Sequence, residues 1–441
     1  MNPQRFLRLV SGAMAALGIS AAAIVALNLR GEDPLPSAET LKPTAALVAQ
    51  GEYLTRVGNC MACHTVQGGA PFAGGRGIET PFGVVYSSNL TPDKATGLGA
   101  WTSAEFWRAM HNGRGKDGRL LYPAFPYTSY THVTREDSDA IFAYLQSLPP
   151  VAQVNKAHSL RFPYSTQAAL GVWRALFFTP ADVAQPAASA PQALATAQVP
   201  DYQRGAYLVN GLGHCAACHT PRNSLGAEQQ GQALAGGLIP VQNWLAPALT
   251  DAGQAGVQRW PQADVVALLK TGVAPQASVI GPMAEVVFRS TQYLSDADAR
   301  AMAVYLQALP QHAATPAKQA VAPASVMERG AKVYEAQCAQ CHGAQGQGAK
   351  DEAGQPAFPP LAGNRAVVLA DPTNLVRVVL QGGYLPATAG NPRPHGMPPF
   401  QHLLGDEDVA AVATFVRNSW GNQAAGVGTI EVYRARERRT P

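Results

Sequence analysis

The six cysteines of this 441-residue chain fall into three pairs, Cys60/Cys63, Cys215/Cys218 and Cys338/Cys341, and a histidine follows each pair at once: His64, His219 and His342. C-x-x-C-H is the attachment pattern of c-type haem. Two thiols add to the haem vinyl groups, and the adjacent imidazole reaches the iron as its proximal ligand. A disulfide framework would leave all three histidines without a role, and so would a thiol oxidoreductase built on C-x-x-C. Structural zinc would need two further ligands at each site. Because no cysteine is left over, the pattern implies three covalently bound haems c.

An iron held by His on one side takes Met or His on the other in an electron carrier. Two stable axial ligands leave no open position, and Met raises the reduction potential. Such a residue belongs on the loop before the last helix of its unit. Met397, in PRPHGMPPF, lies nine residues before Asp406 and fits best. Met283, in GPMAEVV, serves the second unit; its competitor Met302 lies inside a helix on an apolar stripe, where packing explains it. The first unit departs from the pattern, with Phe125 where a sulfur is wanted. Its candidates are Met110 and His132, with an open or weakly ligated iron as the third option. Met110 takes a helical position filled by Leu269 and Leu380 in the other units, whereas its neighbour His111 should point away. An open first iron would suit a haem peroxidase, a reading supported by Phe125 alone.

These groups must be positioned by helices. Each unit opens with a short helix before its cysteines (51–54, 204–208 and 329–334). Each closes with an amphipathic one (138–148, 296–309 and 406–420) that carries acidic residues at its start, where the helix dipole favours them. Close crossing of the two is expected, with Gly51, Gly205 and Gly330 against Tyr144, Tyr305 and Phe415. A further helix is expected over 102–112. Segments 181–198 and 311–325, rich in Ala, Pro and Gln, read as linkers. An extra amphipathic piece, 160–178, ends the first unit, and its Trp173, Phe177 and Phe178 are expected in the core. The resulting divisions are 45–180, 200–310 and 325–422, then a tail, 423–441, whose Arg434, Arg436, Arg438 and Arg439 read as a solvated basic end.

Arg5 and Arg8 precede an uncharged apolar run over 9–29. About 20 helical residues span a bilayer core, so residues 1–30 read as an uncleaved membrane anchor. Cleavage near Ala21-Ala22-Ala23 is the alternative, as a signal peptide. Basic residues ahead of the run keep the N-terminus in the cytoplasm and send the body across the inner membrane to the periplasm. The net charge is only +4 with 14% charged residues, and no Lys/Arg block interrupts the body, which argues against nucleic acid as a partner. No G-x-G-x-x-G opens a helix, so no flavin or nucleotide site of its own is expected.

In the order of its motifs (the anchor, three C-x-x-C-H units, GPMAEVV with STQYL, then MPPF with RNSWGN) the chain resembles the cytochrome c subunits of bacterial membrane-bound dehydrogenases over essentially its whole length. Members of that family serve alcohol, gluconate, sorbitol and fructose dehydrogenases, and molybdenum hydroxylases that oxidise aldehydes or N-heterocycles. The resemblance implies an all-α fold of three tandem class I cytochrome c domains behind one transmembrane helix. It also implies His64, His219, His342, Met283 and Met397 as iron ligands. Electrons would come from a catalytic dehydrogenase subunit and leave to ubiquinone or a terminal oxidase; a small iron–sulfur subunit is a further partner the resemblance admits. Alcohol and sugar dehydrogenase cytochromes resemble one another in having Met in the PA-x-PY loop. PAFPY followed by TSYT is instead similar to the cytochromes paired with molybdenum hydroxylases. A quinoprotein alcohol dehydrogenase or a flavoprotein gluconate or sorbitol dehydrogenase is the other partner class.

Overall fold

A computed structural model of the chain describes residues 3–32, 41–185, 188–312, 322–352, 354 and 356–437. They form two compact units: Met1–Thr55, Cys60–Gln185 and Ser224–Ala227 make the first; Arg56–Asn59, Pro186–Asn223 and Glu228–Pro441 make the second. The first C-x-x-C-H motif lies in the first unit. The other two share the second unit rather than forming separate bodies.

The first unit begins with α1, Pro3–Asn28, whose stretch Leu9–Asn28 has a mean hydropathy of 2.1. Helix α2, Ala45–Val57, leads into the short haem-motif helix Cys60–His64. Strands β1, Gly77–Thr80, and β2, Gly83–Tyr86, form an antiparallel hairpin. Helix α3, Ser103–Asn112, starts at a capping box: the Glu105 N–H donates to Thr102 Oγ1 at 3.2 Å, and the Thr102 N–H to Glu105 Oε2 at 2.8 Å. It ends at Gly113, whose left-handed φ of 59° brings the chain against the Tyr127 ring with no room for a Cβ. Helix α4, Arg135–Ser147, begins three residues before the expected 138 because Thr134 caps it, accepting from the Asp137 N–H. Strand β3, Ser159–Leu160, pairs with β2, and α5, Gln167–Phe177, closes the unit. These ladders, with four two-stranded ones among the described residues of the second unit, add short strands to a mostly helical fold and so qualify the all-α expectation. Gly-bounded runs of β-branched residues such as Gly83–Tyr86 pair locally between helices.

The second unit holds α6, Val199–Tyr207, which continues through a π turn, Leu208–Leu212, toward Cys215. Then come α7, Gln262–Thr271; α8, Pro282–Arg289; and α9, Asp296–Gln307. The third repeat supplies α10, Ala324–Gln337; α11, Thr373–Gln381; and α12, Asp406–Arg417. It is locked to the second repeat by polar bonds. Asn374 accepts from the Leu245 N–H at 2.9 Å and donates to the Leu245 carbonyl at 2.7 Å. The Arg365 N–H donates to the Gln276 carbonyl at 2.8 Å, and the Arg377 guanidinium lies 4.7 Å from the centre of the Trp244 ring.

The expected solvated tail is also corrected. Residues Thr429–Glu437 form α13, which packs on α11 and α12 with Val432 and Ala435 buried. Arg436 Nε donates to Asp406 at 2.8 Å and Nη2 to the Leu404 carbonyl at 3.0 Å. Arg438 and Arg439 lie outside the described residues, as does most of the linker expected over 311–325. Helix α12 stops at Arg417, short of the expected 420, because Trp420 takes a φ of 55° and its ring turns back to 4.8 Å from that of Tyr334.

Candidate haem centres

The crossing expected between opening and closing helices recurs three times. A Cβ built on Gly51, Gly205 or Gly330 would lie 2.8, 2.8 and 2.6 Å from the Cβ of Tyr144, Tyr305 and Phe415, and against the carbonyls of Ala140, Ala301 and Ala411. Only glycine allows backbones this close. The residue before each glycine adds a polar clamp that the sequence reading missed. Gln50 donates to Asp137 at 2.9 Å, Arg204 grips Asp298 through two bonds of 2.8 and 2.9 Å, and Arg329 Nε donates to Asp408 at 2.8 Å. Each acceptor stands three residues before the alanine under the glycine. The acidic starts of the closing helices thus hold the crossing as well as complementing the dipole.

This frame presents the histidines in one manner. His64 Nδ1 lies 2.7 Å from the Ser88 carbonyl, His219 Nδ1 2.7 Å from that of Pro247, and His342 Nδ1 3.0 Å from that of Pro359. A carbonyl can only accept, so each Nδ1 carries the proton and each Nε2 keeps the lone pair a metal requires. Burial lowers the pKa of all three imidazoles from the ordinary value, partly offset by these carbonyls, which favours the neutral ligating form.

No disulfide joins any of the six cysteines, and the two thiols of a pair are not placed alike. Cys60, Cys215 and Cys338 are half-buried, whereas Cys63, Cys218 and Cys341 are exposed. The first cysteine of each pair lies at the foot of the opening helix, where the chain covers it. Burial pushes the Cys60 and Cys215 thiols up to about 12 and that of Cys338 to about 11. The second lies three residues on, in a helix of only one turn (Cys60–His64, Ala216–His219 or Ala339–His342) that is too short to be covered along its whole length. Cys63, Cys218 and Cys341 therefore present their sulfurs at the rim of each motif. A thiol at the rim is accessible to a vinyl group, so attachment fits this placement. Thiols, imidazole tautomers and glycine crossings together fit covalent haem at each motif.

Two further arginines converge on these turns. Arg76 donates to the Ala62 carbonyl, and Arg222 Nη2 to that of Ala217 at 2.8 Å, in each case the residue before the second cysteine. They stand at different distances along the sequence from their motifs, which hid their common role.

Met283 is half-buried at the start of α8, packed against Val279, Ala284 and Val287, and follows Gly281, whose φ of 56° seats the turn against Trp244. Met397 is half-buried on a two-residue strand, Gly396–Met397, beside Val376, Val379, Leu380 and Phe400. Met302 is core, as expected. In the first unit Phe125 lies 5.3 Å from the Tyr130 ring. Burial, with the nearby Cys60 and Cys63 thiols, pushes the Tyr130 hydroxyl well up. Met110 is buried on α3, as Leu269 and Leu380 are on α7 and α11. His111 is buried and stacks on Trp107 at 4.5 Å. His132 is half-buried, and burial lowers its pKa.

The family model for cytochrome c matches residues 48–149, 202–310 and 327–420, one stretch for each motif. The chain belongs to the cytochrome c family. This cytochrome carries three covalently bound haems c and works by electron transfer. It is 39% identical over 413 residues (89% of this chain, 84% of the relative) to the cytochrome c subunit of a quinone alcohol dehydrogenase from Gluconacetobacter polyoxogenes. It is also 39% identical to the gluconate 2-dehydrogenase cytochrome c subunit of Pantoea cypripedii, covering 88% of each chain. A nicotinate dehydrogenase subunit of Pseudomonas putida is 40% identical over 85% of this cytochrome but only 30% of its own length.

Proposed function

We propose that this cytochrome is the electron-transfer subunit of a membrane-bound dehydrogenase, held on the periplasmic face of the inner membrane by α1. The observation that carries the proposal is the threefold recurrence of C-x-x-C-H with a carbonyl-fixed histidine, in a chain similar nearly end to end to dehydrogenase cytochrome subunits. Bound haem supplies a one-electron couple. The protein's part is to hold each imidazole neutral and oriented and to offer Met283 from the start of α8 and Met397 from its short strand as the second ligands.

For the first haem we favour Met110, from α3, as the second ligand. The catalytic partner we favour is a molybdenum hydroxylase acting on an aldehyde or N-heterocycle, because PAFPY carries Phe125 where the alcohol and sugar dehydrogenase cytochromes carry Met. A relative named for nicotinate, an N-heterocycle, is in keeping with this. Electrons would leave to ubiquinone or a terminal oxidase.

The test is purification of the tagged chain from its own membranes in mild detergent, followed by identification of the co-purifying subunit and its molybdenum, quinone cofactor or flavin. Substrate of that subunit should then reduce the haem bands. A quinoprotein or flavoprotein partner would overturn the molybdenum assignment. Absence of any dehydrogenase, with substrate-driven oxygen uptake intact in a deletion strain, would overturn the subunit reading.

A further inference from the structure

Helix α5 is built inside out. Its one charged residue, Arg174, is 3% exposed, whereas Leu176 is 60% and Val172 42% exposed. Ala168, Val172 and Leu176, spaced by four, form a wholly apolar outer stripe. A surface helix facing water has its polar residues outward. Phe162, just ahead of the helix, is 83% exposed, and Tyr164 lies beside it, also exposed.

What lies against this stripe follows from how α5 meets α1. Asn28, the last residue of the apolar stretch, donates from Nδ2 to the Gly171 carbonyl at 2.9 Å, and its Oδ1 accepts from Arg174 Nε at 3.0 Å. Arg174 also donates to the Asn112 carbonyl. Arg114 Nε pairs with Glu32 at 2.6 Å and Nη2 with the Asn28 carbonyl at 3.1 Å. A Cβ at Gly171 would touch Ile24 at 4.0 Å. Ile24 stands one turn before Asn28, about 6 Å along the axis. Helix α5 is therefore bolted to the final turn of the apolar stretch, which in an anchoring α1 would stand where hydrocarbon gives way to headgroups.

We infer that the Ala168–Val172–Leu176 face of α5, with Phe162, is a membrane-seating surface that enters the periplasmic leaflet beside α1. The inference rests on the reading of α1 as an anchor. Inward Arg174 then serves the latch to Asn28, and the outward apolar stripe meets lipid, the arrangement of an interfacial helix whose apolar side sinks a few ångströms into the acyl boundary. Aromatic side chains at that level match the belts found at membrane surfaces.

The six native cysteines are consumed by haem, so Val172→Cys or Leu176→Cys introduces a single reactive thiol. Lys332→Cys, on a well-exposed side chain, serves as the aqueous control, and Leu17→Cys as the control inside the apolar stretch. Each full-length variant, checked for three haems by absorbance, is placed alone in phospholipid nanodiscs and treated with a membrane-impermeant polyethylene-glycol maleimide. Cys at 172 and 176 should react as slowly as Cys at 17, about tenfold or more below the aqueous control. All should react alike after SDS. Rapid labelling at 172 and 176 with 17 protected overturns the inference alone; rapid labelling at 17 overturns the anchor. Protection that appears only when the catalytic subunit is added would assign the stripe to a protein contact and overturn lipid.

Discussion

Gly205→Ala sets two known effects against each other and so tests the crossing that frames the second haem motif. Helix propensity alone predicts stabilisation of about 1 kcal/mol when an interior helix glycine becomes alanine. The structure predicts the opposite sign. The new methyl would lie 2.8 Å from Tyr305 Cβ and against the Ala301 carbonyl, where ordinary contact needs about 3.5–4.0 Å. The helices must part by about 1 Å, which loosens buried Ala206, Ala299, Met302 and Ala303 and strains the Arg204–Asp298 clamp. Overpacking typically costs about 1–3 kcal/mol, and a backbone carbonyl cannot rotate aside as a side chain can. With the propensity gain subtracted, a net loss of about 1–2 kcal/mol is expected, or roughly 0.5–1 M in the urea midpoint for an m-value near 2 kcal/mol/M. Unfolding would be followed by far-ultraviolet circular dichroism and Soret absorbance, since the haem stays covalently attached. A variant as stable as the parent, or more so, would refute the reasoning. Gly51→Ala and Gly330→Ala should share the sign.

Replacing Met283 or Met397 by His should lower one haem's reduction potential in each case, with haem content unchanged, because thioether sulfur favours reduced iron. A redox titration unaltered in both variants would reduce these methionines to packing residues. Met110→Ala should create one high-spin haem that binds carbon monoxide, while His132→Ala leaves the spectrum as it was. The reverse outcome would move the ligand to His132, and carbon monoxide binding by the parent protein would mean an open first iron. Arg436→Ala removes a half-buried ion pair with Asp406 and a bond to the Leu404 carbonyl, a loss of about 1 kcal/mol. An unchanged urea midpoint would show that α13 rests on α12 without supporting it.

What could be read from the sequence was local. Two cysteines and a histidine within five residues need no tertiary knowledge, and neither does the three- and four-residue rhythm of α4, α9 and α12. The unequal cover of the two thiols was not legible, since spacing alone cannot say that Cys218 and Cys341 stand at the rim while Cys215 and Cys338 are half-buried. The glycine crossing was legible because it repeats. The clamps were not, although Gln50, Arg204 and Arg329 repeat as faithfully: their partners lie 87, 94 and 79 residues away. Periodicity marks two faces on α5 but not which one is inside, so Trp173 and Phe177, expected in the core, are only half-buried while Arg174 is covered. The tail failed for a related reason. Its cluster of arginines masked a sparse apolar spacing, yet Val432 and Ala435, three apart, suffice to dock one short helix.

The bonds between Asn374 and Leu245 and between Arg365 and Gln276 make the second and third repeats a single part rather than interchangeable beads. An engineer shortening this chain could not drop its last haem cleanly. Removing the third repeat would strip the Trp244 ring of the Arg377 guanidinium that lies over it, take from Ser278 the donor supplied by Asn364, and bare the edge of α7 where Pro386 meets Gly272. A continuous chain is not what joins the two repeats. The bonds across the two repeats join them independently of the chain that runs from one to the other.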